Sequence, residues 1–328
     1  MKITFLAAEN CLPSGITGLL DMFAIANLWQ ASLTGNREPV FVTEIVTPEG
    51  RPVTSSGCIT LLPQRAAEEA VDSDLVILPP FAPVPDFATE IDACILDWIT
   101  GRHAAGVPIA ALCTGTFLLA TTGLLNGRRA TTNWQFTRRF QRQFPAVLLE
   151  VERLLTEDNG LICTGAATAC YSLGLMLIHR HGSGELAAAC AKAMLVDPNR
   201  DSQAPYIVQD QSRQHRDSLI LSAQQYMEEN LARDLRIDAV AGFVHLSPRH
   251  FKRRFRQATG CTPISYLQAV RLGAAKKRLE TTLDTVDEIT AQIGYGDSST
   301  FRRLFKTQTG LSPREYRARF RQNGPDRT

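Results

Sequence analysis

A chain of 328 residues, 44% hydrophobic and 21% charged, carries enough apolar material for two packed domains and excludes a disordered or fibrous protein. Its apolar runs, such as 107–112 and 174–178, fall far short of the roughly 20 residues of a bilayer-spanning helix, and its eight cysteines lack CxxC spacing, which argues against a disulfide framework or a zinc site. The net charge of +2 conceals a partition: from residue 216 onward 20 Lys and Arg face 12 Asp and Glu, whereas the first 215 residues carry 15 against 21, so a polyanionic partner is expected at one end only.

The N-terminus, Met1-Lys2-Ile3-Thr4-Phe5, soon meets Glu9 and Asn10 and lacks the basic region and long apolar core of a leader, which predicts a cytoplasmic protein with no membrane partner. Short β-rich runs at 3–7, 40–46, 75–78 and 107–112 then alternate with helix-like runs at 19–29, 91–99 and 117–125. That order predicts an α/β domain with a mainly parallel sheet. The run 107–112 passes through a sharp turn into a helix, leaving Cys113 at an elbow where a helix N-terminus can lower a thiol pKa and aim the sulfur at a pocket. Equally open is a plainer role for Cys113 as a small buried residue. A hairpin is expected over 151–163, turning at Glu157-Asp158-Asn159-Gly160, followed by helices at 167–178 and 185–195. Between 197 and 217 the apolar pattern lapses into polar residues and prolines. The domains are therefore drawn as 1–195 and 218–328, with a linker over 196–217.

Beyond the linker the chain reads as short helices, and it repeats itself. At an offset of 50, Phe251 aligns with Phe301, Arg253 with Arg303, Phe255 with Phe305, Gly260 with Gly310, Pro263 with Pro313 and Tyr266 with Tyr316. The upstream helix is expected to keep this offset, Ala241 on Ala291 and Phe243 on Ile293, with Ser247 matching Asp297. Ser247 before Pro248, and Asp297 in the second copy, are natural helix N-caps. Paired phenylalanines one turn apart bury one face of each helix. The opposite faces carry Arg249, Lys252, Arg253 and Arg256 in the first copy and Ser298, Ser299, Arg302, Arg303 and Lys306 in the second. Such helices suit the major groove, where Arg and Lys donate to guanine O6 and N7. These nine residues are the candidate DNA-binding set. Ser312-Pro313-Arg314-Glu315 has the form of a capping box, and Gly260 and Gly310 that of helix C-terminal residues.

The segment 219–320, above all Ile293-Gly294-Tyr295-Gly296-Asp297-Ser298-Ser299-Thr300-Phe301-Arg302-Arg303-Leu304-Phe305-Lys306, resembles the AraC/XylS DNA-binding domain. The resemblance implies two helix-turn-helix units joined by a long helix, here about 263–279, presenting both recognition helices to successive major grooves. Around Cys113 the segment Val107–Phe117, together with Ala130-Thr131-Thr132-Asn133-Trp134, resembles the ThiJ/PfpI branch of the class I glutamine amidotransferase-like superfamily. This implies a flavodoxin-like sandwich over 1–195. Proteolytic relatives carry His directly after the cysteine, where this chain has Thr114. Hydratase-like relatives carry an acidic residue in the first loop, where this chain has Pro13-Ser14-Gly15-Ile16-Thr17-Gly18, and a further motif histidine is replaced by Asn133. Without those proton-transfer partners no catalytic residue is assigned. Ser14, Cys113, Thr114, Gly115 and Asn133 are instead the candidate effector pocket.

The two halves together resemble the GlxA-like regulators. That resemblance implies a homodimeric, effector-responsive transcription activator acting on double-stranded promoter DNA and RNA polymerase. The implied effector is a small molecule such as an amino acid or quaternary amine; no metal or cofactor is expected. The rival reading is a cysteine-dependent hydrolase or hydratase carrying a DNA-binding module, and an RNA-binding protein is disfavoured by the lack of an RNP-like strand or GXXG loop.

Overall fold

The computed structural model describes residues 1–207 and 215–321; the expected linker's 208–214 and the expected second domain's 322–328 lie outside the described residues. The chain divides into two compact units at Gln203 and Ala204. In the first unit the described residues form a seven-stranded sheet of β1 (Lys2–Leu6), β2 (Val42–Thr47), β3 (Arg65–Ala66), β4 (Leu75–Leu78), β5 (Ile109–Leu112), β6 (Leu155–Asp158) and β7 (Leu161–Thr164). Their order is β6-β7-β5-β4-β1-β2-β3. Every pair is parallel except the β6–β7 hairpin, whose turn residues Asn159 and Gly160 both have positive φ, 50° and 74°, as a type I′ turn demands.

β4, β5 and β7 are buried at every position, which is why they read as unbroken apolar runs. Such strands need helices over both faces, and the unit supplies α1 (Ser14–Thr34), α2 (Ala93–Ala104), α3 (Gly115–Thr121), α4 (Cys170–His181) and α5 (Gly184–Ala193). Strand order reverses between β1 and β4, the crevice where open α/β sheets bind ligands beyond their strand C-termini. The loops leaving those two strands meet there: Leu12 N donates to Pro80 O at 2.8 Å, and Cys11 bridges Phe81. Two-residue pairings at Val53–Thr54 with Thr60–Leu61 and at Arg129–Ala130 with Leu148–Leu149 were not anticipated, being too short to show periodicity.

The stretch read as linker is tied down at both ends. Leu154 N donates to Asp201 O at 3.1 Å, and Gln203, only 1% exposed, donates its amide to Val151 O at 2.6 Å and Thr132 O at 2.9 Å. Ala204–Tyr206, a short 3-10 turn, belongs to the second unit. There Lys276 Nζ donates to Ile207 O at 2.7 Å and Pro205 O at 3.3 Å, and Tyr206 stands edge-on to Phe320 at 5.1 Å.

The second unit contains α6 (Ser218–Glu229), α7 (Ile237–Phe243), α8 (Pro248–Thr259), α9 (Pro263–Thr281), α10 (Val286–Gln292), α11 (Ser298–Thr309) and α12 (Pro313–Phe320). It has two small cores. One holds Ile220, Met227, Val240, Phe251, Phe255 and Tyr266; the other holds Leu279, Ile289, Ile293, Phe301, Phe305 and Tyr316. The helix α9 contributes to both, and Leu231 packs against both. The copies agree in detail: ring centroids of Phe251–Phe255 and Phe301–Phe305 lie 5.4 and 5.5 Å apart. Tyr266 and Tyr316 each donate a hydroxyl to a glutamate, Glu228 and Glu280, at 2.6 Å.

The repeat is not uniform, however. Buried Val240 and Ala241 in α7 correspond to buried Ile289 and Thr290 in α10, and Val244 to Ile293, an offset of 49. The expected pairing of Phe243 with Ile293 is thus overturned: Phe243 is 50% exposed and stacks on Tyr226 at 4.2 Å. A residue inserted in the second turn, Gly294-Tyr295-Gly296 against His245-Leu246, restores the offset of 50 at the second helix.

Candidate DNA interface and effector site

The second helix of each unit is set by its ends. Ser247 Oγ accepts from His250 N and Pro248 occupies the first helical position of α8. Asp297 accepts from Ser299 N and Thr300 N at the start of α11, and hydrogen bonding by the Thr300 and Ser299 side chains, followed by these backbone groups, holds its carboxyl far below the usual carboxylate range. Both helices stop at a glycine with positive φ, Gly260 at 79° and Gly310 at 74°. The last helix begins with the anticipated Ser312–Glu315 capping box.

With Phe251, Phe255, Phe301 and Phe305 buried, the opposite faces are exposed. Arg249, Lys252, Arg253 and Arg256 all lie on solvent-facing α8. Among the described residues their side chains make no hydrogen bond or ion pair. They are therefore free to meet an anion without breaking a protein contact. The second copy is more constrained. Arg303 and Lys306 are exposed and Ser298 is half-buried, but Ser299 donates its hydroxyl to Asp297 at 2.7 Å. Arg302 pairs with Asp287 at 3.0 Å. Sequence spacing gave the face of each residue but not these engagements, which come from the cap and from the preceding helix.

Beside α8 runs a groove of about 740 Å³, whose lining adds Gln257, Thr262 and Ile264 to Lys252, Arg253 and Arg256. Gln257 was missed although it lies one turn beyond Arg253 on the same face; the groove is made by α8 with Ile237 at the start of α7 and Thr262, Pro263 and Ile264 at the start of α9.

In the first unit Cys113 occupies the elbow between β5 and α3 with φ 54°, a left-handed conformation that costs a non-glycine residue of order 1–3 kcal/mol. Three residues hold it there. Cys113 N donates to Thr164 O and Oγ1 at 3.0 and 3.1 Å, Thr132 Oγ1 donates to Cys113 O at 2.8 Å, and Asn133 Nδ2 donates to Sγ at 3.7 Å. Because Asn133 Oδ1 is taken by Gln135 N, its amide N–H2 is the end left to face the sulfur. Burial pushes the Cys113 thiol up in pKa, outweighing the donors Asn133 and Thr114. Cys170, a coulombic neighbour, is likewise pushed up to about 11 by burial.

The remaining pocket candidates divide. Thr114 is occupied structurally, its hydroxyl exchanging hydrogen bonds with Phe81 N and O at 2.7 and 2.8 Å. Gly115 permits a close approach: a Cβ there would stand 2.4 Å from Pro79 O. Ser14 is exposed at the start of α1. No helix of the described residues is long and apolar enough to cross a membrane, and no group of three or more His, Cys, Asp or Glu among them could hold a metal ion.

Comparison with known proteins follows this division. Residues 2–180 match the DJ-1/PfpI family and residues 240–319 a helix-turn-helix domain. Over 320 residues the chain is 25% identical to the HTH-type transcriptional regulator GbdR of Pseudomonas aeruginosa, covering 96% of this chain and 84% of that protein. Over 318 residues it is 24% identical to the HTH-type transcriptional regulator CdhR of the same species, covering 96% and 90%. Among solved structures, a putative transcriptional regulator protein from Vibrio parahaemolyticus superposes with a TM-score of 0.52 at 22% identity, covering 60% of this chain and 99% of that one.

Proposed function

Since the chain belongs to the DJ-1/PfpI family over 2–180 and ends in a helix-turn-helix domain, we propose that it is an effector-responsive regulator of transcription that binds specific sites in double-stranded promoter DNA. One observation carries this reading: a capped helix with a buried phenylalanine pair and an exposed basic face occurs twice in one unit. The recognition set is Arg249, Lys252, Arg253, Arg256, Ser298, Ser299, Arg302, Arg303 and Lys306. Of these, Ser299 and Arg302 must first release Asp297 and Asp287 if they are to reach base edges.

The DJ-1/PfpI unit acts as sensor, not enzyme. In support, the Cys113 thiol is buried and its donors are the neutral Asn133 and Thr114, whereas nucleophilic cysteines are activated by a base or a nearby positive charge. The site beside Ser14, Cys113, Thr114, Gly115 and Asn133 receives a small effector, an amino acid or quaternary amine. Effector binding changes DNA affinity only to the extent that it favours one conformation over another. The protein acts in the cytoplasm as a homodimeric activator that also contacts RNA polymerase.

The test is selection of sequences from a random duplex pool by the full-length protein, followed by binding measurements with Arg253→Ala/Arg303→Ala. Loss of two base-reading contacts is expected to weaken specific binding by roughly 2–6 kcal/mol at fixed salt. Unchanged affinity in a folded double variant overturns the assignment.

A further inference from the structure

Resting on that reading, we propose that Arg271 is the positioning residue that sets the spacing between the two DNA boxes the protein accepts. Two recognition helices on one chain read two boxes only if their separation and angular phase are fixed. Each added base pair moves a box by about a tenth of a helical turn, and one turn spans roughly 34–36 Å. The helix α9 links the two helix-turn-helix copies and contributes to both cores, which leaves a direct tie of one copy to the other to remove the remaining pivot between them. Arg271 lies inside α9, and its guanidinium closes that freedom.

The guanidinium reaches both copies at once. Nε donates to Leu231 O at 3.0 Å and Nη2 to Arg233 O at 2.8 Å, binding the loop that follows α6 in the first helix-turn-helix copy. The same group lies 5.2 Å from the ring centre of Tyr295, in the turn of the second helix-turn-helix copy, within the range of a cation–π contact. The approach is close: a Cβ on Gly294 would stand 2.3 Å from Leu231 O and 2.7 Å from Arg271 Nη2, and Gly294 has φ +81°. Leu231 itself packs against both cores. Carbonyls of the first copy, the α9 arginine and the turn of the second copy thus form one joint within the helical unit. Tyr295 is the counterpart of Leu246, its N donating to Thr290 O as Leu246 N donates to Ala241 O, so an aromatic ring stands in the second turn where the first has leucine.

A guanidinium holds its donors in one rigid plane and can lay that plane on a ring, whereas an ammonium, as with Lys276 beside Pro205 O, Ile207 O and the Tyr316 ring, is a point charge on a flexible stem that fixes no orientation. Arg271→Lys is therefore the discriminating variant, since it keeps the charge and loses the rigid fork, and it stands in should Arg271→Ala fail to fold. Tyr295→Leu removes the ring while leaving the carbonyl contacts. The measurement uses the duplex selected by the wild-type protein, derivatives with one base pair inserted or deleted between the boxes, and a derivative with one box scrambled.

Wild type is expected to lose about tenfold or more in affinity at either altered spacing, comparable to a mismatched base pair. In Arg271→Lys and Tyr295→Leu the spacing penalty should fall below about threefold while affinity for the single-box duplex stays within about twofold of wild type. Retention of the full spacing penalty in both variants would overturn the proposal, as would an equal loss on the single-box duplex, which marks general damage. Failure of wild type to select any sequence would instead sink the DNA-binding reading beneath it.

Discussion

Cys113 shows how far one residue can be read. Its elbow was visible in the sequence because a β-rich run, a turn and a helix follow one another within a few residues. Its environment was not: Thr164, Thr132 and Asn133, which fix its backbone and sulfur, lie 19 to 51 residues away in sequence. The same distance hid the locking of Thr114 onto Phe81, 33 residues upstream, so a residue grouped with the pocket proves to be held by the neighbouring loop. Burial leaves little thiolate on Cys113 near neutral pH, whereas Cys58 and Cys94 are exposed. Reactivity follows thiolate fraction and access, so alkylation of Cys113 by iodoacetamide at pH 7.5 should be at least about tenfold slower than that of Cys58. A mass-spectrometric time course checks this. Labelling of Cys113 at the rate of Cys58 would reveal an activated thiol and revive the hydrolase reading.

At the scale of elements, long periodic segments were legible and insertions were not. The Phe251/Phe255 and Phe301/Phe305 faces and the caps follow from local spacing alone, whereas the α9 connector was implied by the resemblance to the AraC/XylS domain. The offset shift from 50 to 49 across the turn could not be seen, because Phe243 and Ile293 are equally plausible core residues until Phe243 is found stacked on Tyr226 at the surface. The segment Ala204–Ile207 was read as linker for the same reason: its anchoring comes from the side chain of Lys276, some 70 residues on. That lysine is 8% exposed, and burial lowers its pKa to about 8, against 10.5 for the free group. Below pH 8 the native state must hold a desolvated charge. Between pH 8 and 10.5 the unfolded chain binds the proton more tightly than the native one, so this group's contribution to stability rises with pH across that window. Relative to Lys276→Met, the wild-type second unit should gain roughly 2 kcal/mol from pH 7 to pH 10. Trp29, Trp98 and Trp134 all stand in the first unit, so tryptophan emission follows that unit, and amide exchange over 263–320 is the suitable probe of the second. A wild-type-to-variant difference that stays constant with pH would show that Lys276 does not titrate in this window.

Across the whole molecule, positive charge is concentrated in the second unit's sequence, and the consequence is thermodynamic. Each phosphate neutralised by a cation releases condensed counterions, so affinity falls with the logarithm of salt at a slope of about −0.9 per contact. The first recognition helix offers four cations, Arg249, Lys252, Arg253 and Arg256, and the second offers three, Arg302, Arg303 and Lys306. If both helices enter the duplex and every cation other than the base-reading Arg253 and Arg303 lies against a phosphate, the slope per bound chain should approach about −4.5; if only the first enters, about −3. The acidic N-terminal unit should contribute nothing to this number. Arg302→Ala/Arg303→Ala/Lys306→Ala therefore separates the two cases when each protein is titrated over a series of salt concentrations. Insertion of both helices predicts that the triple variant's slope becomes shallower by about 2. An unchanged slope means that the second helix never reaches the phosphates: the Arg302–Asp287 pair and the Ser299–Asp297 cap would then be its working state, and specificity would rest on the unencumbered first copy.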